Sequence, residues 1–416
     1  MSLKYYNEGD IFKKSELVEM GFDIIERDYR KRNKENVNSG EVTADFEYVF
    51  DFSGFLINDS SEICAVFPIN FKVYNEHSDT KLLFNVISKH LQLRPEIYFG
   101  SEYGKHYKSN YPFAAFFEVY NYYEEYGLYF EEKKLIKPNI GGKINWKETI
   151  RRSDKYLINN QLYFFPFYYE KSYQNIAFLT EAMIFVINHT IDKFNFMIDM
   201  PKVDGFASDE IFLNNREGVL EKLYSIRQET FKDILINLID NLINYFSNLK
   251  EGGTYYLKHY TFSSIWEDAV KFYLENHFKE VKDGKLKLES TNTITKFEKP
   301  AFRPNMANNN HFFSPDYYFS SGENQFIFDA KYKREVNGMD YKQISYFLFL
   351  KNKRENLNDL PIYSFTHSAL ILPGVKRDSK LHFKMDPIFN KENDDLVIYE
   401  EYLDIREVLK FYTGLT

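Results

Sequence analysis

The sequence predicts a mixed α+β (α/β) protein whose C-terminal part is a central mixed sheet flanked by helices. Three observations carry this. The clearest amphipathic helix of the chain ends at Gly252-Gly253, which divides it. Beyond that stop the periodicity runs helix, strands, helix, strand, the plan of a sheet covered by helices. Ahead of it, roughly the first hundred residues alternate short apolar segments with turn signals. The organisation expected is a strand-rich N-terminal domain over 1–125, a mixed and helical middle region over 126–253, and a C-terminal domain over 254–416.

The N-terminal strands are Phe46–Phe52, Glu62–Phe67 and Phe71–Tyr74, rich in β-branched or aromatic residues. Asn58-Asp59-Ser60-Ser61 and Pro68-Ile69-Asn70 separate them as turns. In the middle region Pro138–Gly142 is a loop, and Ala177–Phe196 has helical spacing of apolar residues. Glu229–Lys250 is the amphipathic helix, with Ile234, Leu235, Leu238, Ile239, Leu242 and Ile243 on one stripe.

After the glycine pair, Ser264–Phe278 is a helix with Ile265, Ala269, Phe272 and Tyr273 on one face. A polar stretch runs to about Ser290, and Ile294–Phe297 is a short strand. Phe312–Phe319 and Gln325–Tyr332 are strands joined by the short loop Ser320–Asn324. Asp340–Leu350 is a helix capped by Asp340, and Ser368–Leu372 is a strand ended by Pro373-Gly374. No internal repeat or low-complexity tract occurs.

Composition narrows the class. With 416 residues, 44% hydrophobic and 27% charged, the chain can build two or three cores and is not a disordered polymer. A single cysteine, Cys64, excludes an internal disulfide framework and suits a cytoplasmic location. It sits in the apolar run Ile63–Phe67, as a buried inert thiol would. No apolar stretch reaches the ~18 residues a membrane helix needs, so no membrane partner is expected. The net charge of −8 argues against a generally basic DNA-coating protein. Two segments depart from that average. Lys331–Arg354 has seven Lys/Arg against two acids, and 132–156 has eight against three, each a local balance of +5.

The chemistry gathers at Ser314-Pro315-Asp316 and, thirteen positions on from Asp316, at Asp329-Ala330-Lys331. In a strand Asp329 and Lys331 share a face, and Ala330 points to the other layer. The strand arrives through Phe326-Ile327-Phe328, apolar on both faces, as a covered central strand should be. Charges at the end of such a strand are costly unless paired or bound to a metal. The hairpin brings Asp316 alongside Asp329, two carboxylates within reach of one hard cation, with the Ala330 carbonyl as a third ligand. Mg²⁺ suits oxygen ligands and keeps waters, one of which can attack a phosphate. Lys331 would orient or help deprotonate that water and neutralise charge building on the phosphate.

Taken alone, D-x-K is common by chance, and the bland alternative is a structural Asp–Lys pair beside an ordinary hairpin. The Pro-Asp partner and the apolar approach favour the catalytic reading. Glu267, on the preceding helix, is either a further metal-directed carboxylate or the far end of a Ser264–Glu267 capping box. Lys342 and Gln343 open the next helix, and of the two Gln343 is assigned toward the scissile phosphate.

Ser314-Pro315-Asp316, Phe328-Asp329-Ala330-Lys331-Tyr332-Lys333, Asp340-Tyr341-Lys342-Gln343 and Tyr346 together resemble the nuclease domain of the McrC and LlaJI restriction families. That domain belongs to the PD-(D/E)xK nuclease superfamily. Gly142–Ile150 is similar to the INW-x-x-TI element of LlaJI-type proteins, as are Phe52-Ser53-Gly54-Phe55-Leu56 and Ala65-Val66-Phe67-Pro68. One departure stands out: Asp340 precedes Lys342 by two positions, where the family helix opens D-x-x-K-Q.

The resemblance implies a PD-(D/E)xK nuclease fold over the C-terminal domain. It also implies a restriction endonuclease that hydrolyses duplex DNA with Mg²⁺, Mn²⁺ substituting, in antiviral defence. Such subunits work beside a separate McrB-like AAA+ GTPase. This chain has no G-x-x-x-x-G-K-[ST] loop, so the motor must be another polypeptide, with the N-terminal region as its natural contact. Two alternatives stay open. A stand-alone type II enzyme would read bases through 132–156, and a non-catalytic adaptor would keep the fold only to bind DNA or stimulate a motor. A homo-oligomer also stays open.

Overall fold

The computed structural model describes residues 3–33, 46–94, 105–289, 294–389 and 396–414. They form two compact units, one of Met1–Tyr111, Phe196–Ile198 and Lys250–Thr416, the other of Pro112–Asn195 and Asp199–Leu249. The N-terminal strands and the C-terminal sheet share the first of these units. The Tyr255–His259 strand shows why. It lies just past the glycine pair, yet pairs antiparallel with Ser53–Ile57 on one side and Tyr107–Ser109 on the other.

Those strands belong to a sheet ordered Leu3–Asn7, Ile63–Phe67, Ser53–Ile57, Tyr255–His259, Tyr107–Ser109. Its two central N-terminal strands are buried at every position, as continuous apolar runs predict. Gly54 is required there: at φ 146° a Cβ would lie 2.0 Å from the Leu257 carbonyl oxygen. Cys64 is fully buried in this sheet, and burial pushes its thiol up to about 12.

One expected N-terminal strand is not there. Phe71–Tyr74 is irregular and leads into a helix, Glu76–Leu93, that the sequence reading missed. Asn75 caps it, its side chain accepting from the Ser78 amide at 3.0 Å. Leu82, Leu83, Val86, Ile87 and Leu91 supply its buried stripe.

The C-terminal sheet runs Tyr317–Ser321, Asn324–Ala330, Phe365–Gly374, Val397–Asp404, Asp378–Lys384. The three middle strands are parallel and both edges antiparallel, so the sheet is mixed as expected. Ser321 pairs with Asn324, leaving Gly322-Glu323 as a two-residue turn in which Gly322 takes φ 58°. The Tyr341–Lys351 helix packs Ile344 and Phe347 against Leu370, Leu372 and Ile398. The Phe262–His277 helix buries Ile265, Trp266, Ala269 and Val270, and Trp266 donates to the Ile371 carbonyl at 3.4 Å.

Three readings in this region change. Ile294–Phe297 is not a strand, whereas the polar stretch before it is a hairpin, Phe278–Lys282 with Lys285–Leu288. Asp283 at φ 53° and Gly284 at φ 76° turn it, the Asp-Gly signature of a tight hairpin. The strand expected from Phe312 begins at Tyr317, with Phe313 making only an isolated bridge to Phe302.

The second unit holds the helices Phe113–Tyr126, Phe178–Lys193, Arg216–Glu229 and Asp233–Asn248. It also carries a hairpin, Asp154–Ile158 with Gln161–Phe165, that is exposed almost throughout. Among the described residues no helix is long and apolar enough to cross a membrane.

Candidate active site

The hairpin register builds the site. Tyr317 pairs with Phe328, so one step further Asp316 stands across from Asp329, where cross-strand neighbours are about 5 Å apart at Cβ. Asp316 accepts from the Ala330 amide at 3.1 Å through Oδ2. In a paired strand the N–H and C=O of one residue face the same neighbour, so the Ala330 carbonyl looks toward Asp316 as well.

Asp329 is 1% exposed. Its two oxygens are taken by two ammoniums, Lys331 Nζ on Oδ2 at 2.7 Å and Lys342 Nζ on Oδ1 at 2.8 Å. Lys331 also reaches Asp340 Oδ2 at 2.9 Å, while Asp340 Oδ1 caps the next helix by accepting from the Gln343 amide. Burial raises the Asp329 carboxyl above its ordinary range and the charge of Asp316 adds to this, against the pull of the two lysines. For Lys331 burial acts downward, but Asp329 and Asp340 outweigh it and hold the amine above its usual value. Asp340 is pushed up by burial and pulled further down by Lys331 and the Gln343 amide.

Glu267 is not a cap. Its helix begins at Phe262 with Thr261 at the N-cap position, so Ser264 and Glu267 lie within the helix and cannot form the capping box. Glu267 instead pairs with Lys299, whose Nζ also lies 3.0 Å from Asp316 Oδ1. The Tyr317 hydroxyl donates to the Glu267 carbonyl at 2.7 Å, tying this helix to the first strand of the hairpin. Lys299 was missed by the sequence reading, because nothing in Glu298-Lys299-Pro300 distinguishes it from any surface lysine.

Gln343 does not face the open side of the site. It is fully buried, donating to the Ile327 carbonyl and the Ser368 hydroxyl, each at 2.8 Å, and to the Ala369 carbonyl at 3.4 Å. It locks the helix onto the sheet, and its neighbour Lys342, half exposed, is the one that reaches Asp329. A helix places adjacent residues about 100° apart, so only one of the pair can point into the site.

The donor set can be tested against a divalent cation. Among the described residues no three His, Cys, Asp or Glu side chains stand together as a ready-made cage. Mg²⁺ does not need one, since it is held by one or two carboxylates and keeps several waters. Asp316, Asp329 and the Ala330 carbonyl meet that requirement, and the buried Asp329 charge demands a cation in any case. Lysine ammoniums supply that positive charge here, and Lys299 and Lys342 are exposed enough to move aside. The residues fit the metal.

Comparison with known proteins gives the family. The model of the LlaJI restriction endonuclease family matches residues 52–384. No curated protein matches. Among solved structures, a chain of the cryo-EM structure of the Thermococcus gammatolerans McrBC complex is 11% identical. The match covers 61% of this chain and 82% of that one at a TM-score of 0.23, too low for any inference about fold or function. The family match spans the hairpin, both flanking helices and all of the site residues described above, and the chain belongs to the LlaJI restriction endonuclease family.

Proposed function

We propose that this restriction-family nuclease is a Mg²⁺-dependent DNA endonuclease of PD-(D/E)xK type, with Asp316, Asp329 and Lys331 at its centre. The observation that carries the reading is the hairpin register, which brings Asp316 across from Asp329, with Lys331 two residues on and paired to Asp329. Asp316, Asp329 and the Ala330 carbonyl would hold the cation, with Glu267 joining through Asp316 once Lys299 moves away. A bound Mg²⁺ or Mn²⁺ supplies Lewis-acid charge at the phosphate and a water acidified for attack.

The rest is done by the chain. Lys331, fixed between Asp329 and Asp340, presents an ammonium to the charge that grows on the phosphate oxygens in the transition state. Lys342 is placed to contact a neighbouring phosphate. Gln343 keeps Lys342 in position by anchoring its helix, and with it the Asp340 cap that pairs with Lys331.

The protein acts in the cytoplasm on duplex DNA, beside a separate AAA+ GTPase. An exposed apolar hairpin supports a protein partner, with Leu157 74% and Phe165 61% exposed. Purified protein, with that partner where required, should linearise or nick duplex plasmid in Mg²⁺ or Mn²⁺ and stop in EDTA. Full cleavage without divalent metal would overturn the proposal, and DNA binding without cleavage in any metal would favour the adaptor reading.

A further inference from the structure

Immediately after Lys331 the chain enters a second feature, separate from the carboxylates. Tyr332, Lys333 and Arg334 line a cleft of about 680 Å³ together with Arg30, Lys31 and Arg32. The two basic segments are some three hundred positions apart in sequence and meet only in the fold.

Two contacts close the cleft floor. Tyr332 donates its hydroxyl to Glu8 Oε2 at 2.9 Å, and Ser53 donates to the same oxygen at 3.0 Å. The one carboxylate among the described residues that line the cleft is thus turned inward and buried. Arg334 lies over Gly9, which at φ 84° has no side chain to block it, and pairs with Asp10 at 2.6 Å. Arg30 pairs with Asp51 at 2.8 Å. Lys31, Arg32 and Lys333 have no carboxylate partner among the described residues.

A charged edge strand has a bland explanation. Tyr29–Asn33 is the edge of a small sheet beside Phe46–Phe50, and lysine or arginine on an edge discourages pairing with other chains. That accounts for cations along the strand. It does not account for Lys333 and Arg334, which are on no strand and face the same cleft from the catalytic side.

We propose that this cleft is a binding site for the phosphodiester backbone of duplex DNA, which it guides toward the active site. Lys333 follows Lys331 by two residues, so the cleft begins within about 7 Å of chain length from the catalytic lysine. That is about one phosphate-to-phosphate step along a strand. The spacing suits a duplex whose cut phosphate lies at Asp329 while flanking phosphates run past Lys333 toward Arg30–Arg32. These contacts read no bases and set register and affinity.

The inference rests on the nuclease reading, and the experiment separates the two. Anisotropy of a labelled 30-base-pair duplex is followed in EDTA, so that nothing is cut, over a series of KCl concentrations. The full chain is compared with the triple variant Lys31→Ala, Arg32→Ala, Lys333→Ala. A control triple on the distant hairpin, Lys282→Ala, Lys285→Ala, Lys287→Ala, removes the same charge elsewhere. Each lost phosphate contact should lower the slope of log affinity against log salt by about 0.9. The cleft variant should therefore bind at least about tenfold more weakly at moderate salt, with a slope shallower by two or more. The control should match the unaltered chain, and all three should melt together. If the unaltered chain binds duplex and the cleft variant keeps its slope, or the control loses as much, the cleft assignment is overturned while the nuclease reading stands. If the unaltered chain fails to bind duplex even with the partner that cleavage requires, both fall.

Discussion

Lys299 Nζ lies 3.0 Å from Asp316 Oδ1 and holds Glu267 with the same ammonium, bridging a helix and the residue that leads into the first strand of the hairpin. On the proposed reading, Lys299 would compete with a metal for Asp316. Lys299→Met keeps the stem but removes the charge, leaving the two carboxylates to face each other. In DNA-free protein it should bind Mn²⁺ several-fold more tightly, read by electron paramagnetic resonance of free Mn²⁺, and should melt slightly lower in EDTA. Unchanged Mn²⁺ affinity would mean that Lys299 and the metal do not share a place.

Asp316→Ala, Asp329→Ala and Lys331→Ala should each reduce cleavage by at least about 10²–10³-fold, the scale seen when one transition-state contact is lost. Each leaves the more buried partner another counter-charge. Lys331 keeps Asp340 when Asp329 is removed, and Asp329 keeps Lys342 when Lys331 is removed. Folding should therefore survive all three, as circular dichroism and melting would verify. An alanine variant that cuts at the normal rate would remove that residue from the site.

Glu267→Gln separates a metal-directed carboxylate from a surface ion pair. Its bond to Lys299 is half exposed and contributes at most about 1 kcal/mol, so melting should barely move. Cleavage should nevertheless fall, and the Mg²⁺ concentration needed for half-maximal rate should rise. Normal cleavage at normal Mg²⁺ would leave Glu267 with only its ion pair.

Much of this was legible in the sequence, for identifiable reasons. Asp316, Asp329 and Lys331 could be placed because strand periodicity and a short hairpin fix which residues meet. Asp340 could be placed because capping is a local rule. Glu267 was harder because its helix starts at Phe262 rather than Ser264, which removes it from the cap, and Gln343 because only tertiary packing decides which of Lys342 and Gln343 faces the sheet. Lys299 was beyond reach, because its partners come from elsewhere in the chain and its neighbours form no element. The place of the Tyr255–His259 strand was out of reach for the same reason: its pairing with Ser53–Ile57 spans some two hundred positions that no local pattern records. The missed hairpin at Asp283-Gly284 was different, because its turn signal was present and was passed over as merely polar.

Gln343→Leu tests whether that residue positions or reacts. Leucine is similar in size but leaves the Ile327 carbonyl and the Ser368 hydroxyl without their buried donor, at a cost of about 1–3 kcal/mol. The variant should melt several degrees lower. Cleavage below the melting range should fall modestly, with unchanged Mn²⁺ affinity. A fully stable variant that cannot cut would restore Gln343 to a direct role.

The last prediction concerns Glu8, which accepts from Tyr332 and Ser53 beneath the basic cleft. Burial pushes its carboxyl up to about 7, more than those two hydrogen bonds pull it down. An unfolded glutamate loses its proton near the ordinary value of about 4.5. Below that, both states are protonated and the shift has no effect on stability. As pH rises from about 4.5 to about 7, the unfolded chain gives up its proton first, so folding stability falls. Above about 7 the folded state ionises too, and the loss levels off at roughly 3 kcal/mol. Glu8→Gln retains an oxygen for both donors but cannot ionise, so it should remove this slope. Urea unfolding at pH 5, 6, 7 and 8 would then show the variant gaining on the unaltered chain with each step, while titrations shared by both cancel in the difference. Parallel curves across that range would show that Glu8 is ionised in the folded protein at a normal pH, and the account of a buried neutral acid under Tyr332 would have to be abandoned.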